Sequence, residues 1–312
     1  MTEAQAEPIA TNPKLPRRVL AVVNPKSGNQ SGEQVAGWLR EIAAERGIEL
    51  TIRETTPEHD DAKELVKDAK QFDRVIASGG DGTIMQVING IALKGVPLAV
   101  IPAGTGNALA IAFKLTLDHH IACEQALSEA TLMPLDLGLL DETMYFALRL
   151  SIGYEADVTK DTTRELKTRL GKSAYVLQAI RHAIGIRTVR YRFEVDGKSI
   201  RRRAESVWVA NAGSLGIAGL DLDPNISFND GQLDLCAMRF SFQRDLQVIL
   251  QRLIARQRLP ATVLSRVPVH KHIRIVTYPK QPIQVDGEVV GKTPCEVRVV
   301  PNAIQVCMPV SE

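Results

Sequence analysis

The chain has 312 residues, 45% of them hydrophobic and 24% charged, with Gly 22 and Pro 16. That length allows two domains or one large one with a real core, and the composition excludes a fibre, a short peptide or a disordered tail. The formal net charge of +2 argues against a nucleic-acid partner but hides an asymmetry: residues 164–203 hold twelve Lys or Arg against three acids, so one face is expected to meet an anionic surface.

From Arg17 to Leu139 apolar strands alternate with amphipathic helices, the order that builds a parallel sheet covered on both faces. Val19 to Val23 reads as a buried strand. Ser31 with Gln34 forms a capping box, and Val35, Trp38, Leu39 and Ile42 recur at helical spacing until Gly47 stops the helix. Leu50 and Ile52 alternate as a strand. A helix is predicted from Pro57 through Lys70, then a strand at Arg74 to Ala77, a helix at Thr83 to Lys94, a strand at Pro97 to Ile101, and helices from Asn107 and Asp118.

The pattern changes in the segment Met133 to Asp141, after which short alternating strands predict an antiparallel sandwich. These strands are Met144 to Leu150, Arg190 to Val195, Ser206 to Ala210, Leu233 to Met238, Ile273 to Thr277, Ile283 to Val285 and Glu296 to Val300. Helical pieces at Arg164 to Ile184 and Arg244 to Arg258 interrupt them. No apolar run reaches the roughly 18 residues a membrane-crossing helix needs. Met1 to Leu15 lacks an apolar stretch and so does not read as a secretory leader, which points to the cytoplasm. Cys123, Cys236, Cys295 and Cys307 have neither zinc spacing nor close pairing and are expected as small buried side chains.

Three loops join a strand to a helix. Asn24-Pro25-Lys26-Ser27-Gly28 offers backbone N–H groups at a helix start, where anions are favoured, but an Asn-Pro turn is also ordinary loop chemistry. Ser78-Gly79-Gly80-Asp81-Gly82-Thr83 is more specific: three glycines let backbone approach a ligand, and the acid among them can hold a cation or take a proton. It is neither a P-loop nor G-x-G-x-x-G, and its plainer reading is a turn whose aspartate caps a helix. Pro102-Ala103-Gly104-Thr105-Gly106-Asn107 repeats the placement, with Asn107 as an alternative helix cap. At the carboxyl ends of parallel strands the three loops would converge on one crevice, where a triphosphate fits.

Asn-Pro-x-Ser-Gly at 24–28, Gly-Gly-Asp-Gly-Thr at 79–83 and Pro-x-Gly-Thr-Gly-Asn at 102–107, in this order, resemble the catalytic domain of the diacylglycerol kinase family. The branch is that of bacterial lipid kinases related to sphingosine and ceramide kinases. The likeness runs over nearly the whole chain, through Asp136-Leu137-Gly138, Lys172 to Tyr175, Asp230-Gly231-Gln232-Leu233-Asp234 and Asp286-Gly287-Glu288. It implies an NAD kinase- and phosphofructokinase-like α/β domain at 16–136, to which strand 303–312 returns, and a β-sandwich lipid-substrate domain at 137–302, with ATP between them.

Residue by residue, the resemblance implies nucleotide contacts at Asn24, Ser27, Gly28, Thr56, Gly79, Gly80, Gly82, Thr83, Gly104, Thr105, Gly106 and Asn107. It places Asp81 on an acid implicated in catalysis and Glu288 on the proton acceptor, and it implies Mg2+ held by Asp230 with backbone carbonyls at Ser227 and Gln232. Phosphoryl transfer needs these parts: held phosphates, neutralised charge and a deprotonated acceptor hydroxyl. For Glu288 alone, an exposed hairpin acid is the plainer reading, since Asp-Gly is a strong turn signal and recurs at Val195-Asp196-Gly197-Lys198. Relatives show Gly-Phe-Asp-Ala where this chain has Gly153-Tyr154-Glu155-Ala156, which leaves the role of Glu155 open.

A lipid kinase must reach a membrane, so the enzyme is expected to sit peripherally on the inner face when active. Lys167, Arg169, Arg181 and Arg201 to Arg203 are candidates for docking there, against the reading of a solvated helix face and a charge-protected edge strand. Two other functions compete: an NAD kinase, set back because no Asn in this chain is followed by Glu, and a non-catalytic nucleotide- or lipid-binding regulator. Neither the particular lipid nor the oligomeric state, a dimer included, is readable.

Overall fold

Strand β1 (Arg18–Val23) is buried from Val19 to Val23, as a parallel strand covered on both faces must be. The computed structural model describes residues 15–28, 31–56, 62–153, 188–217, 220–221, 223, 225–239, 245, 251–252 and 260–310. After β1 come α1 (Ser31–Arg46), β2 (Glu49–Glu54), β3 (Arg74–Gly79), α2 (Asp81–Ile91), β4 (Leu98–Pro102), α3 (Ala108–Ala112) and α4 (His119–Ala126). Strands β2, β1, β3 and β4 lie side by side in parallel. Val35, Leu39 and Ile42 of α1 pack on one face, and Ile84, Val87, Ile88 and Ile91 of α2 on the other.

The helix predicted from Pro57 through Lys70 is replaced, among the described residues, by two 3-10 turns, Glu64–Val66 and Ala69–Gln71. Side chains take the carbonyls that a continuing α-helix would use. Arg53 donates to Leu65 O at 2.6 Å, and Lys94 Nζ to Val66 O at 3.1 Å and Lys67 O at 3.2 Å. These bonds anchor the segment as two short turns.

Among the described residues the second half is built mainly of strands, with helical residues at Asp245, Gln251 and Arg252: β5 (Ala130–Leu140), β6 (Met144–Phe146), β7 (Arg149–Gly153), β8 (Val189–Val195), β9 (Lys198–Ala204), β10 (Ser206–Ala210), β11 (Ser214–Ile217) and β12 (Leu220–Asp221). Then follow β13 (Leu233–Met238), β14 (Leu264–Val269), β15 (His272–Tyr278), β16 (Pro282–Val285), β17 (Glu288–Lys292) and β18 (Cys295–Pro309). Six of them form an antiparallel sheet in the order β14-β13-β10-β7-β16-β17. It faces a second layer, β18-β15-β8-β9, across a core that includes Leu150, Ile152, Phe193, Val207, Leu235, Ile273 and Val297.

That second layer continues the sheet of the first half. Strand β18 pairs with β15 along Cys295 to Arg298, with β5 along most of its length, and in parallel with β4 at Val306. One sheet therefore runs from the α/β half into the sandwich, and the two halves are held in register by shared backbone hydrogen bonds. None of the four cysteines is in a disulfide, and all four are buried. Burial pushes the thiols of Cys123 and Cys295 up to about 12 and that of Cys307 to about 11, so they are inert space-fillers.

The predicted strand Met144 to Leu150 is broken into β6 and β7. The interruption falls where the N–H groups of Ala147, Leu148 and Arg149 turn to a carboxylate, that of Asp286.

Candidate active site

The three glycine loops meet at the carboxyl ends of β1, β3 and β4. Asn24 at the end of β1 donates its N–H to Ser78 O at 2.9 Å and its side-chain amide to Thr83 Oγ1 at 3.1 Å. That bond fixes the first loop to the head of α2. Ser27 is buried beneath the turn, Gly28 lies exposed with φ 59°, and Thr56 is exposed just past the end of the neighbouring β2.

The second and third loops touch backbone to backbone. A methyl group on Gly104 would lie 2.5 Å from Gly80 Cα, so only glycine lets these chains pass. Asn107, in the left-handed region at φ 53°, accepts the Gly104 N–H on its amide oxygen at 2.9 Å. It thus closes its own loop rather than capping α3. The cap comes from the neighbouring loop: Asp81 Oδ1 accepts the Leu109 N–H at 3.0 Å. A methyl on Gly106 would sit 3.1 Å from the other Asp81 oxygen.

Glu288 reaches this cluster from the opposite half of the molecule. Its Oε1 would stand 3.4 Å from a methyl on Gly82, which puts the carboxylate beside the first turn of α2. The hairpin that carries it is pinned by Asp286, whose carboxylate accepts N–H groups from Ala147 (2.9 Å), Leu148 (3.1 Å) and Arg149 (2.8 Å). Asp286 lies in the left-handed region at φ 44°. Burial of its carboxylate pushes the pKa up to about 6, against the lowering by the three N–H donors and Arg149.

The look-alike hairpin is built the same way. Asp196, at φ 48°, accepts N–H groups from His270, Lys271 and His272 at 2.9, 2.9 and 3.0 Å. An Asp-Gly turn whose aspartate clamps three successive amides is thus a construction element used twice. At one hairpin the residue after the glycine is Lys198 on the outer surface, and at the other it is Glu288 at the loop cluster.

Asp230, Ser227 and Gln232 share one loop ahead of β13. Asp230 is exposed and accepts from Gln232 N at 3.3 Å and Gln232 Nε2 at 3.0 Å, while Ser227 Oγ donates to Asn229 at 2.6 Å. Among the described residues no group of three or more His, Cys, Asp or Glu side chains is placed to hold a metal ion. A cation at this loop would therefore rest on one carboxylate and main-chain oxygens, a donor set of hard oxygens that suits Mg2+ or Ca2+. The loop meets the α/β half through Phe228, edge-on to Phe113 at 5.2 Å.

Asp136 and Asn211 do structural work that motif reading did not assign. The Asp136 carboxylate takes the N–H groups of Gly231 at 2.6 Å and Asn302 at 2.8 Å, and Asn211 Nδ2 donates to Asp136 O and Ala147 O, both at 2.7 Å. Burial raises the Asp136 pKa, the two N–H groups lower it, and the nearby Asp230 charge raises it further. These bonds tie the Asp230 loop, the hairpin-bearing segment and β18 into one seam. Asn89 of α2 adds to it, pairing with both backbone groups of Tyr145 at 2.8 and 3.1 Å. For Asp136 the available signal was its place in an acid-bearing motif; for Asn211 and Asn89 the sequence carried none.

Thr105 lies exposed at the tip of the third loop. Glu155, Lys167, Arg169, Lys172 to Tyr175 and Arg181 lie outside the described residues.

Comparison with known proteins gives two family matches. Residues 18–140 match the diacylglycerol kinase catalytic domain, and residues 149–308 match the YegS C-terminal NAD kinase beta sandwich-like domain. The diacylglycerol kinase of Bacillus subtilis is 30% identical over 303 residues, covering 94% of this chain and 97% of its own. That of Mycobacterium tuberculosis is 27% identical, covering 94% and 95%. A crystal structure of a diacylglycerol kinase from Bacillus anthracis superposes with TM-score 0.77 at 24% identity, over 95% of this chain and 98% of that one; at that identity it shows the fold.

Proposed function

This chain belongs to the lipid kinases that join a diacylglycerol kinase catalytic domain to a YegS-type sandwich, and on that premise we propose that it transfers the γ-phosphate of ATP, with Mg2+, to a hydroxyl of a lipid such as diacylglycerol. The observation that carries the reading is the meeting of parts from both halves. The Gly80 and Gly104 loops touch at the carboxyl ends of parallel strands, and Glu288 arrives against Gly82 beside them.

In this reading the backbone of residues 79–83 and 104–107, apart from the Gly104 N–H that Asn107 already takes, holds the triphosphate together with Asn24, Ser27, Gly28 and Thr56 at the neighbouring strand ends. The N-terminus of α2 adds its positive dipole end. Asp81 keeps the third loop docked on the second. Glu288 takes the proton of the lipid hydroxyl as its oxygen bonds to the γ-phosphorus. The bond from that phosphorus to the bridging oxygen breaks, and ADP leaves with the bonding pair.

Asp230, with the carbonyls of Ser227 and Gln232, would hold Mg2+. When bound, the ion supplies positive charge that offsets the acids of this seam. The lipid partner lies in a membrane, where the enzyme acts peripherally on the cytoplasmic side; among the described residues no helix is long and apolar enough to cross one.

The test is Glu288→Gln. The variant should bind ATP as the wild type does and transfer phosphate to lipid on the order of 10² to 10⁴-fold more slowly. Unchanged turnover would remove Glu288 from the chemistry.

A further inference from the structure

The outer face of the sandwich layer β18-β15-β8-β9 is divided by charge. In β8, Arg190, Arg192 and Glu194 are exposed and alternate with buried Val189, Tyr191, Phe193 and Val195. Their cross-strand partners in β9 are Arg203, Arg201 and Ser199, and in β15 they are Tyr278, Val276 and Arg274. Because side chains alternate with period two, these residues share one face.

At the seam-facing end of this face every arginine has an acid. Arg274 pairs with Glu296 at 3.4 Å, and Arg298 holds Glu142 with two bonds at 2.9 and 2.8 Å. At the other end, Arg190 stands opposite Arg203 and Arg192 opposite Arg201. Among the described residues none of these four has an acidic partner. Like charges directly opposite across a strand pair are unfavourable, so the fold gains nothing from this square of arginines.

Protection of the sheet edge accounts for only half of it. Strand β9 is the edge, and Lys or Arg there deters pairing with another chain. Arg190 and Arg192 stand on β8, one strand in, hydrogen-bonded on both sides by β9 and β15, where no edge needs guarding. Beside Arg190 in register is Tyr278, 70% exposed, an amphipathic ring of the kind that settles at a bilayer interface.

We infer that Arg190, Arg192, Arg201 and Arg203, with Tyr278, form the surface by which this enzyme docks on an anionic phospholipid bilayer. The choice of a bilayer rests on the lipid-kinase reading, because a substrate that stays in the membrane must be met there. The surface corrects the grouping expected from sequence: Arg202, between Arg201 and Arg203, pairs with buried Tyr191 and belongs to the opposite side of the strand.

The experiment is co-sedimentation of the full chain with vesicles of phosphatidylcholine, with and without phosphatidylglycerol, at low and at high salt. The Arg192→Glu/Arg201→Glu variant is compared with a charge-matched control, Arg40→Glu/Lys70→Glu. Phosphorylation of a short-chain, water-soluble diacylglycerol is measured in parallel. The wild type should bind only the anionic vesicles and release in high salt, and the first variant should bind on the order of tenfold more weakly while the control does not. Turnover of the soluble substrate should be equal in all three.

Equal sedimentation of both variants with the wild type, or wild-type binding that ignores phosphatidylglycerol, would overturn the docking surface while leaving the kinase reading intact. Retention on duplex DNA with no binding to anionic vesicles would reassign the surface to nucleic acid and overturn the proposal. Absence of phosphate transfer by the wild type would strike the kinase reading itself, whatever the vesicles show.

Discussion

Asp81 Oδ1 accepts the backbone N–H of Leu109 at 3.0 Å, so the acid at the head of α2 caps the next helix and not its own. The bond needs only an oxygen, whereas the catalytic part that the family resemblance implies for Asp81 needs the charge. Asp81→Asn keeps the first and removes the second. The variant should unfold within about 1 kcal/mol of the wild type, the usual worth of a cap, yet lose turnover by on the order of 10²-fold or more. Chemical denaturation beside steady-state kinetics checks this; a variant that unfolds and fails in proportion would make Asp81 purely structural.

The contact between the Gly80 and Gly104 loops predicts a steric effect. Gly104→Ala places a methyl 2.5 Å from Gly80 Cα and 3.1 Å from Asn107 Oδ1, so the loops must part. Misplacement of this size costs on the order of 10- to 100-fold in a positioned reaction. The loss should appear as weaker ATP binding in calorimetry, with the lipid KM little changed.

Asp286 gives a pH signature. Its pKa stands at about 6 in the folded chain, above the ordinary 3.8. The fold therefore favours the neutral carboxyl, and the stability this group contributes is fully present below its unfolded value and lost as pH rises through about 6. Asp286→Asn cannot titrate. The stability of wild type relative to this variant should fall between pH 4 and pH 7 by up to about 3 kcal/mol, read from urea denaturation at several pH values. A difference that is flat or rises with pH would contradict the assignment.

The Asp230 loop is tested without turnover. A cation held there stabilises the folded state by mass action, so Mg2+ titration should raise the thermal midpoint of the wild type. Asp230→Ala should abolish the rise, and Asp81→Asn should keep it. A rise of equal size in Asp230→Ala would place the cation elsewhere.

Much of this architecture was legible because its signals are local. Strands such as Val19 to Val23 are apolar on both faces, and the glycine loops fall where strand turns to helix. What was hidden depends on partners far along the chain. The residues around Glu64 and Ala69 read as a helix but form two short turns anchored by the side chains of Arg53 and Lys94. Strand β9 is obscured by its arginines and β14 by Pro268. Met144 to Leu150 reads as one strand until Asp286 claims three of its amides. The site shows the same division: motifs brought the loops to notice, while the juxtaposition of Glu288 with Gly82 is set by a hairpin folded over from the other half.

The most direct test is transfer of label from γ-labelled ATP, with Mg2+, into a panel of diacylglycerol, sphingoid base, ceramide and phosphatidylglycerol in anionic mixed micelles. NAD serves as the control acceptor, and Asp81→Asn and Glu288→Gln are run alongside. Label entering a lipid hydroxyl with the wild type and with neither variant is the predicted result. Label in NAD, or undiminished transfer to lipid by both variants, would contradict it.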